Sequence, residues 1–68
     1  MPALIMHHEN GETTTITTNK DGTTTTSGWY GGDGNHSKHS EGTMAKEVEH
    51  SATQHGNPVV RHERNPDM

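Results

Sequence analysis

Histidine is the residue type in this chain best suited to chemistry, since seven of its 68 residues are histidines. The pair best spaced to share one ion is His36 and His39, with Asp33 and Glu41 close by in sequence. Imidazole nitrogens bind transition metals such as Zn, Ni and Fe, and a metal site needs three or four ligands. If the chain binds a transition metal, we predict His36 and His39 as its ligands. A trimer would bring six such imidazoles around its three-fold axis and so supply the missing ligands.

No catalytic motif accompanies these histidines. Cysteine is absent, which removes thiolate ligands, thiol nucleophiles and disulfides together. The sequence also contains no nucleophile elbow, phosphate-binding loop or HExxH helix. These observations predict that the protein is not an enzyme.

Charge and hydropathy argue against two classes of partner. The net charge is −4, and the five basic residues are scattered among nine acidic ones rather than clustered as nucleic-acid binding requires. No apolar segment approaches the roughly 20 residues of a membrane-spanning helix. The short apolar run at 3–6 is also too short for the core of a signal peptide. We expect neither nucleic-acid nor membrane binding, and the sequence assigns no compartment.

The elements that would position these residues begin with a threonine-rich segment over 1–30. Threonine is branched at Cβ and favours extended backbone. Turn residues divide the segment into three runs, so we predict a small, mostly β fold that begins with a three-stranded antiparallel meander. Its strands are predicted at about 3–8, 12–18 and 23–30.

Two turns set the predicted register of the meander. The Asn10-Gly11 pair predicts a type I′ hairpin turn, which would set Ile5 opposite Ile16. The sequence at 19–22, Asn-Lys-Asp-Gly, predicts a type I turn followed by a G1 bulge, which sets Ile16 opposite Thr26. In this register each face of the meander carries only about three apolar side chains among threonines.

The remainder of the chain predicts a linker, a helix and a tail. Residues 31–42 are rich in glycine and histidine and predict a linker, and 57–68 predicts an extended tail in which Val59-Val60 could add an edge strand. A short amphipathic helix is predicted over 44–55 within the segment 43–56, with Thr43 as N-cap and Gly56 after its end. Its apolar stripe consists of Met44, Val48 and Ala52.

This composition offers little material for a hydrophobic core. Apolar residues make up 22% of the chain, and phenylalanine is absent. Small domains are marginally stable even with good cores. We therefore expect the chain to be ordered only within an oligomer or complex, where a partner covers its apolar residues. The predicted contact residues are Leu4, Met6, Ile5, Ile16, Trp29, Tyr30, Met44 and Val48.

Together these features predict a non-enzymatic structural or interaction protein. It would be an accessory component of a larger assembly, such as a virion, an appendage or a multi-subunit complex, and its strands would pair with partner subunits. The partner is another protein or the chain itself, in a homo-oligomer such as a trimer. Two alternatives remain open at this point. One is a histidine-rich protein folded or trimerised by a transition metal, and the other is a largely disordered hydrophilic protein.

Overall fold

The predicted meander forms the first three strands of a larger sheet. The computed structural model describes residues 2–66, with the backbone alone described at 33–35. In chain order the elements are β1 (Ala3–His8), β2 (Thr13–Thr18), β3 (Thr24–Gly28), β4 (Gly32–Ser37), α1 (Glu41–Gln54) and β5 (Val59–Asn65). The strands form one antiparallel sheet in the order β4-β3-β2-β1-β5. The small, mostly β fold class is therefore confirmed.

The first hairpin closes with a different turn from the predicted one. The His8 amide donates to the Glu12 carbonyl at 2.8 Å, so the loop contains three residues, 9–11. Gly11 has a φ of 93°, and no residue other than glycine has positive φ in the described chain. A type I′ turn needs positive φ at Asn10 as well, so that prediction was wrong. Instead, the Asn10 side-chain oxygen accepts a hydrogen bond from the Glu12 amide at 2.9 Å.

The second hairpin has the predicted turn and the predicted register. The Asn19 amide donates to the Thr23 carbonyl at 2.8 Å, and Gly22 has a φ of 87°. Ile16 lies opposite Thr26, as its turn sequence predicts. The two hairpins therefore have the same type of loop, which contains three residues and in which only the glycine adopts positive φ.

The corrected first register brings the apolar side chains of β1 and β2 to one face. Leu4, rather than Ile5, lies opposite Ile16. Because side chains alternate across a strand, this shift of one residue moves Leu4 and Met6 onto the face of Ile16. Met6 and Ile16 are fully buried there. The expectation that apolar groups divide between both faces was therefore wrong.

The helix α1 covers this apolar face with the predicted stripe. Met44, Val48 and Ala52 are buried, and the first two join Leu4, Met6 and Ile16 in the core. The predicted N-cap, Thr43, was wrong, because α1 begins at Glu41 with Ser40 as its cap. The Ser40 hydroxyl accepts a hydrogen bond from the Thr43 amide at 3.3 Å.

The end of α1 follows the prediction. Gly56 has a φ of 72° and directs the chain away from the helix axis. Its amide donates to the Thr53 carbonyl at 3.2 Å, and the Asn57 amide donates to the Ala52 carbonyl at 2.8 Å. This pair of bonds is the Schellman motif, which satisfies the last helical carbonyls.

The predicted linker and tail both contribute strands. The segment 31–42 contains β4 and the first residues of α1, so the chain is ordered into the sheet where a flexible break was expected. The chain turns back towards β4 after Gly28. This position requires glycine, because its φ is 94° and a Cβ atom there would lie 2.2 Å from the Thr13 carbonyl oxygen. In the tail, the predicted edge strand at Val59-Val60 continues to Asn65 as β5, which pairs with β1.

The core forms within a single chain. It lies between α1 and one face of the sheet, with Tyr30, Ala45 and Val59 packed at its margin. The expected dependence on an oligomer stays a prediction. Across residues 2–66, no helix is long and apolar enough to cross a membrane.

Candidate interaction surface

The sheet has one face that no described element covers, which we call the open face. Strand alternation and the observed registers place side chains of β1, β2, β3 and β5 on it. Most of them are half-buried because their cross-strand neighbours shield them. The central members of the open face are Ile5, His7, Thr13, Thr15, Thr17, Thr25 and Ser27, and β5 adds Arg61 and Glu63.

The strand β5 forms one edge of the sheet and carries alternating charges. On the helix side of the sheet, His62 Nε2 lies 2.8 Å from Glu49 Oε1, and Arg64 forms an ion pair with Glu41. These contacts fasten β5 to α1. Val60 occupies the irregularity in the β1–β5 pairing and is 62% exposed.

On the open face, β5 contacts β1 through a cluster of three polar side chains. His7 Nε2 lies 3.2 Å from Glu63 Oε1 and 3.1 Å from Arg61 Nη2. The guanidinium can only donate and the carboxylate can only accept, so a given His7 tautomer satisfies one contact at a time. The Arg61 and Glu63 side chains also approach each other at 3.7 Å, and both are about half exposed or more. Their charges therefore remain accessible to a neighbouring chain.

A buried polar network anchors the end of β1. His8 is 2% exposed; its Nδ1 lies 3.0 Å from the Asn57 carbonyl oxygen and its Nε2 lies 2.6 Å from Thr14 Oγ1. Because a carbonyl can only accept, Nδ1 carries the proton in this network. The Asn57 side-chain oxygen also accepts from the Asn10 amide at 3.0 Å. One histidine thus joins β1, β2 and the chain that follows α1.

The two aromatic residues pack against the molecule's own elements. Trp29 lies between His8 and His55, with ring centroids 4.7 and 5.9 Å away. The Tyr30 hydroxyl donates to Glu47 Oε1 at 3.0 Å. Partial burial and this carboxylate raise the pKa of Tyr30. Both residues therefore connect the β3–β4 turn to α1.

Most of the sequence-predicted contact residues are inaccessible in the folded chain. Five of them form the core between the sheet and the helix, and Tyr30 is half-buried at its margin. Trp29 is half-buried between His8 and His55. Only Ile5 lies on the open face. The core members are Leu4, Met6, Ile16, Met44 and Val48.

The predicted metal ligands lie at opposite ends of a short segment. His36 lies in β4, where its Nδ1 is 3.2 Å from Thr25 Oγ1, and the His39 carbonyl accepts from the Thr24 hydroxyl at 3.2 Å. Within the part of the chain that the structure describes, no three His, Cys, Asp or Glu residues form a group that could hold a metal ion. Metal binding at His36 and His39 stays a prediction.

A shallow depression lies beside His36 at the second hairpin. It has a volume of about 370 Å³ and is lined by Asn19, Lys20, Asp21, Thr23 and His36. The Thr23 hydroxyl and amide donate to Asp21 at 2.6 and 3.0 Å. These hydrogen bonds lower the pKa of Asp21. The Asp21 carboxylate is thus held by its own turn.

Sequence reasoning missed the charged edge of β5 and the buried role of His8. The alternation of Arg61, His62, Glu63 and Arg64 after two valines is a signal for a strand with different chemistry on each face. For His8, no local signal existed, because its partner Asn57 lies 49 residues away.

Comparison with protein-family models, with curated proteins and with solved structures finds no match to this chain.

Proposed function

We propose that this chain is a non-enzymatic structural or interaction protein, an accessory component of a larger assembly whose strands pair with partner subunits. One observation carries the proposal. The sheet is covered on one face only, and it ends on β5, which has no neighbour on its outer side among residues 2–66.

The outer side of β5 suits strand addition. A strand at a sheet edge presents unpaired backbone N–H and C=O groups, which another strand can bind. β5 is seven residues long, whereas the other strands have five or six. It is also held in place by the contact of His62 with Glu49 and the ion pair of Arg64 with Glu41, both on α1, so a partner meets a pre-formed edge.

The open face extends this surface. Its threonine hydroxyls and methyls offer both polar and apolar contact, and Ile5 adds an apolar side chain near its centre. The polar cluster of His7, Arg61 and Glu63 lies where the open face meets the β5 edge. A partner strand beside β5 would therefore contact these charges as well as the backbone.

Photochemical cross-linking in an extract of the protein's source tests the proposal. A photoreactive amino acid replaces Glu63 at the β5 edge, or Lys46 on the exposed side of α1 as the matched control. We expect an adduct from position 63 and none from position 46, and elution of the chain in a particle well above twice its 7.4 kDa mass. Elution at no more than two chain masses would overturn the proposed assembly, as would adducts that form equally at both positions.

A further inference from the structure

We propose that the strand partner of β5 is β5 of a second copy of this chain, in a two-fold homodimer that joins two five-stranded sheets into one. This inference rests on the proposed function and names the partner. It is carried by the charge pattern of β5, whose sequence over 59–65 is Val-Val-Arg-His-Glu-Arg-Asn.

Symmetry limits the ways in which two copies of β5 can pair. An antiparallel pair of identical strands in one continuous sheet is related by a two-fold axis perpendicular to that sheet. Residues opposite each other then lie on the same face. Neighbours along the regular part of β5, 61–65, lie on opposite faces. The axis must therefore lie midway between the two copies of one residue, so that this residue is opposite itself.

The charges select one of these axes. With the axis at His62, Arg61 lies opposite Glu63 of the partner subunit. By symmetry, Glu63 lies opposite Arg61 of the partner subunit, so the dimer has two such ion pairs. With the axis at Arg61 or at Glu63, two identical charges would lie directly opposite each other, which destabilises a strand pair. The axis at His62 also gives the longest overlap, because His62 is the central residue of β5.

The same register covers the exposed valine. Val60, at 62% exposure, is the exposed large apolar residue of the described chain. In the His62-centred dimer it lies opposite Arg64 of the partner subunit. Val60 lies at the irregularity of β5, and the Arg64 guanidinium pairs with Glu41 within its own chain, so the aliphatic stem of Arg64 is the part of that side chain left to approach Val60.

The charges on β5 also discriminate against other partners. Charged side chains on an edge strand deter pairing with unrelated strands, which do not neutralise them. A second copy in the His62-centred register neutralises both Arg61 and Glu63. These side chains are 62% and 49% exposed, so they are available for this contact in the single chain.

Charge reversal on the full-length chain tests the dimer by sedimentation equilibrium between about 10 µM and 1 mM. We expect the unmodified chain to approach twice 7.4 kDa. Glu63→Arg and Arg61→Glu should each raise the dissociation constant by about tenfold or more, because each replaces two attractive pairs with two repulsive ones. An equimolar mixture of these two variants should recover the dimer, since every opposite pair is then of unlike charge.

Two further measurements separate a broken interface from a broken fold. Circular dichroism shows whether each variant is folded, and the double variant Arg61→Glu with Glu63→Arg restores the dimer if the charges act across it. Glu12→Arg, at an exposed position on the β2 side of the first hairpin, makes the same change in net charge as Glu63→Arg and should leave dimerisation unchanged. Amide exchange along 59–65 should slow as the concentration of the unmodified chain rises.

Three outcomes would overturn the inference. They are a folded unmodified chain that stays monomeric at 1 mM, a dimer that Glu63→Arg leaves intact, and single variants whose mixture stays monomeric. None of these removes the proposed function, because a different protein could still pair with β5. Conversely, the purified chain could form the dimer while an extract of the source contains no particle larger than two chains. That result would support the dimer and overturn the proposed larger assembly.

Discussion

At the scale of single residues, His8 has the most demanding position in the molecule. It is a buried imidazole whose two nitrogens both have partners, the Asn57 carbonyl and the Thr14 hydroxyl. The Thr14 oxygen also accepts from the Tyr30 amide at 3.2 Å. Because the buried Asn57 side-chain nitrogen has no hydrogen-bond partner among the described residues, this corner of the fold has little tolerance for another unpaired group.

His8→Leu should therefore lower the free energy of unfolding by about 2–4 kcal/mol, since it leaves a buried carbonyl and a buried hydroxyl without their partner. Urea denaturation followed by circular dichroism measures the change. The control is His50→Leu on the exposed surface of α1, which should change stability by less than about 0.5 kcal/mol. Equal effects of the two substitutions would contradict the buried network.

At the scale of elements, short polar side chains decide where each element begins and ends. Asn10 and Asp21 occupy equivalent positions in the two hairpin loops, and each accepts a hydrogen bond from the amide two residues later. Ser40 does the same for the first turn of α1. The chain thus compensates for its few apolar residues with turns and caps whose backbone groups are well satisfied.

The helix cap offers a direct comparison between two residues. Ser40→Ala should destabilise the protein by about 1 kcal/mol, because the Thr43 amide loses its acceptor. Thr43→Ala should cost less than half as much, since it removes the exposed hydrogen bond between the two hydroxyls while the Thr43 amide keeps Ser40 Oγ as its acceptor. Thermal unfolding of both variants distinguishes them. A larger loss of stability from Thr43→Ala than from Ser40→Ala would indicate that Thr43 is the N-cap, as the sequence predicts.

At the scale of the whole molecule, threonine makes up for the shortage of apolar residues. Thr14, Thr24 and Thr26 are at most 1% exposed and face α1 beside Ile16. Their methyl groups pack while their hydroxyls find partners, except that Thr26 Oγ1 has none in the described chain. A sheet with a threonine-lined inner face can therefore bury a core that a count of apolar residues underestimates.

The two isoleucines of β1 and β2 test which face is the core. Ile16→Ala should lower the free energy of unfolding by about 2–5 kcal/mol, because Ile16 is fully buried under α1. Ile5→Ala should cost about 1 kcal/mol, since Ile5 is half-buried on the open face. Chemical denaturation of both variants gives the comparison. Similar losses would support the predicted register, in which Ile5 and Ile16 share a face.

Much of the fold was predictable because its signals are local. The strands of the meander, the second hairpin register, the helical stripe and Gly56 each follow from patterns within a few residues. The predicted register of the first hairpin was wrong because Asn10-Gly11 was taken as the whole two-residue turn. The second loop shows the alternative, since its Asp21-Gly22 pair forms the last two residues of a three-residue loop. β4 was missed because glycine normally weakens strands and gave no positive signal.

The candidate site was less predictable than the fold. The contact residues were chosen for apolar character, and the structure uses most of them in the core. For β5, the sequence predicts an edge strand only at Val59-Val60. The continuation of β5 over 61–65, and its outer side, which has no neighbouring strand among residues 2–66, follow from the pairing of β5 with β1.

The amino-acid sequence by itself determined the three strands of the meander, the helix and its end at Gly56, the second hairpin turn and the absence of disulfides, because backbone preferences act over four or five residues. Tertiary structure alone decided which face of the sheet is buried and that β1 is the strand with which β5 pairs. Those outcomes depend on a one-residue choice of register and on contacts such as that between His7 and Arg61, which are 54 residues apart. No local preference can encode such a contact, since its free energy exists only after the chain has folded.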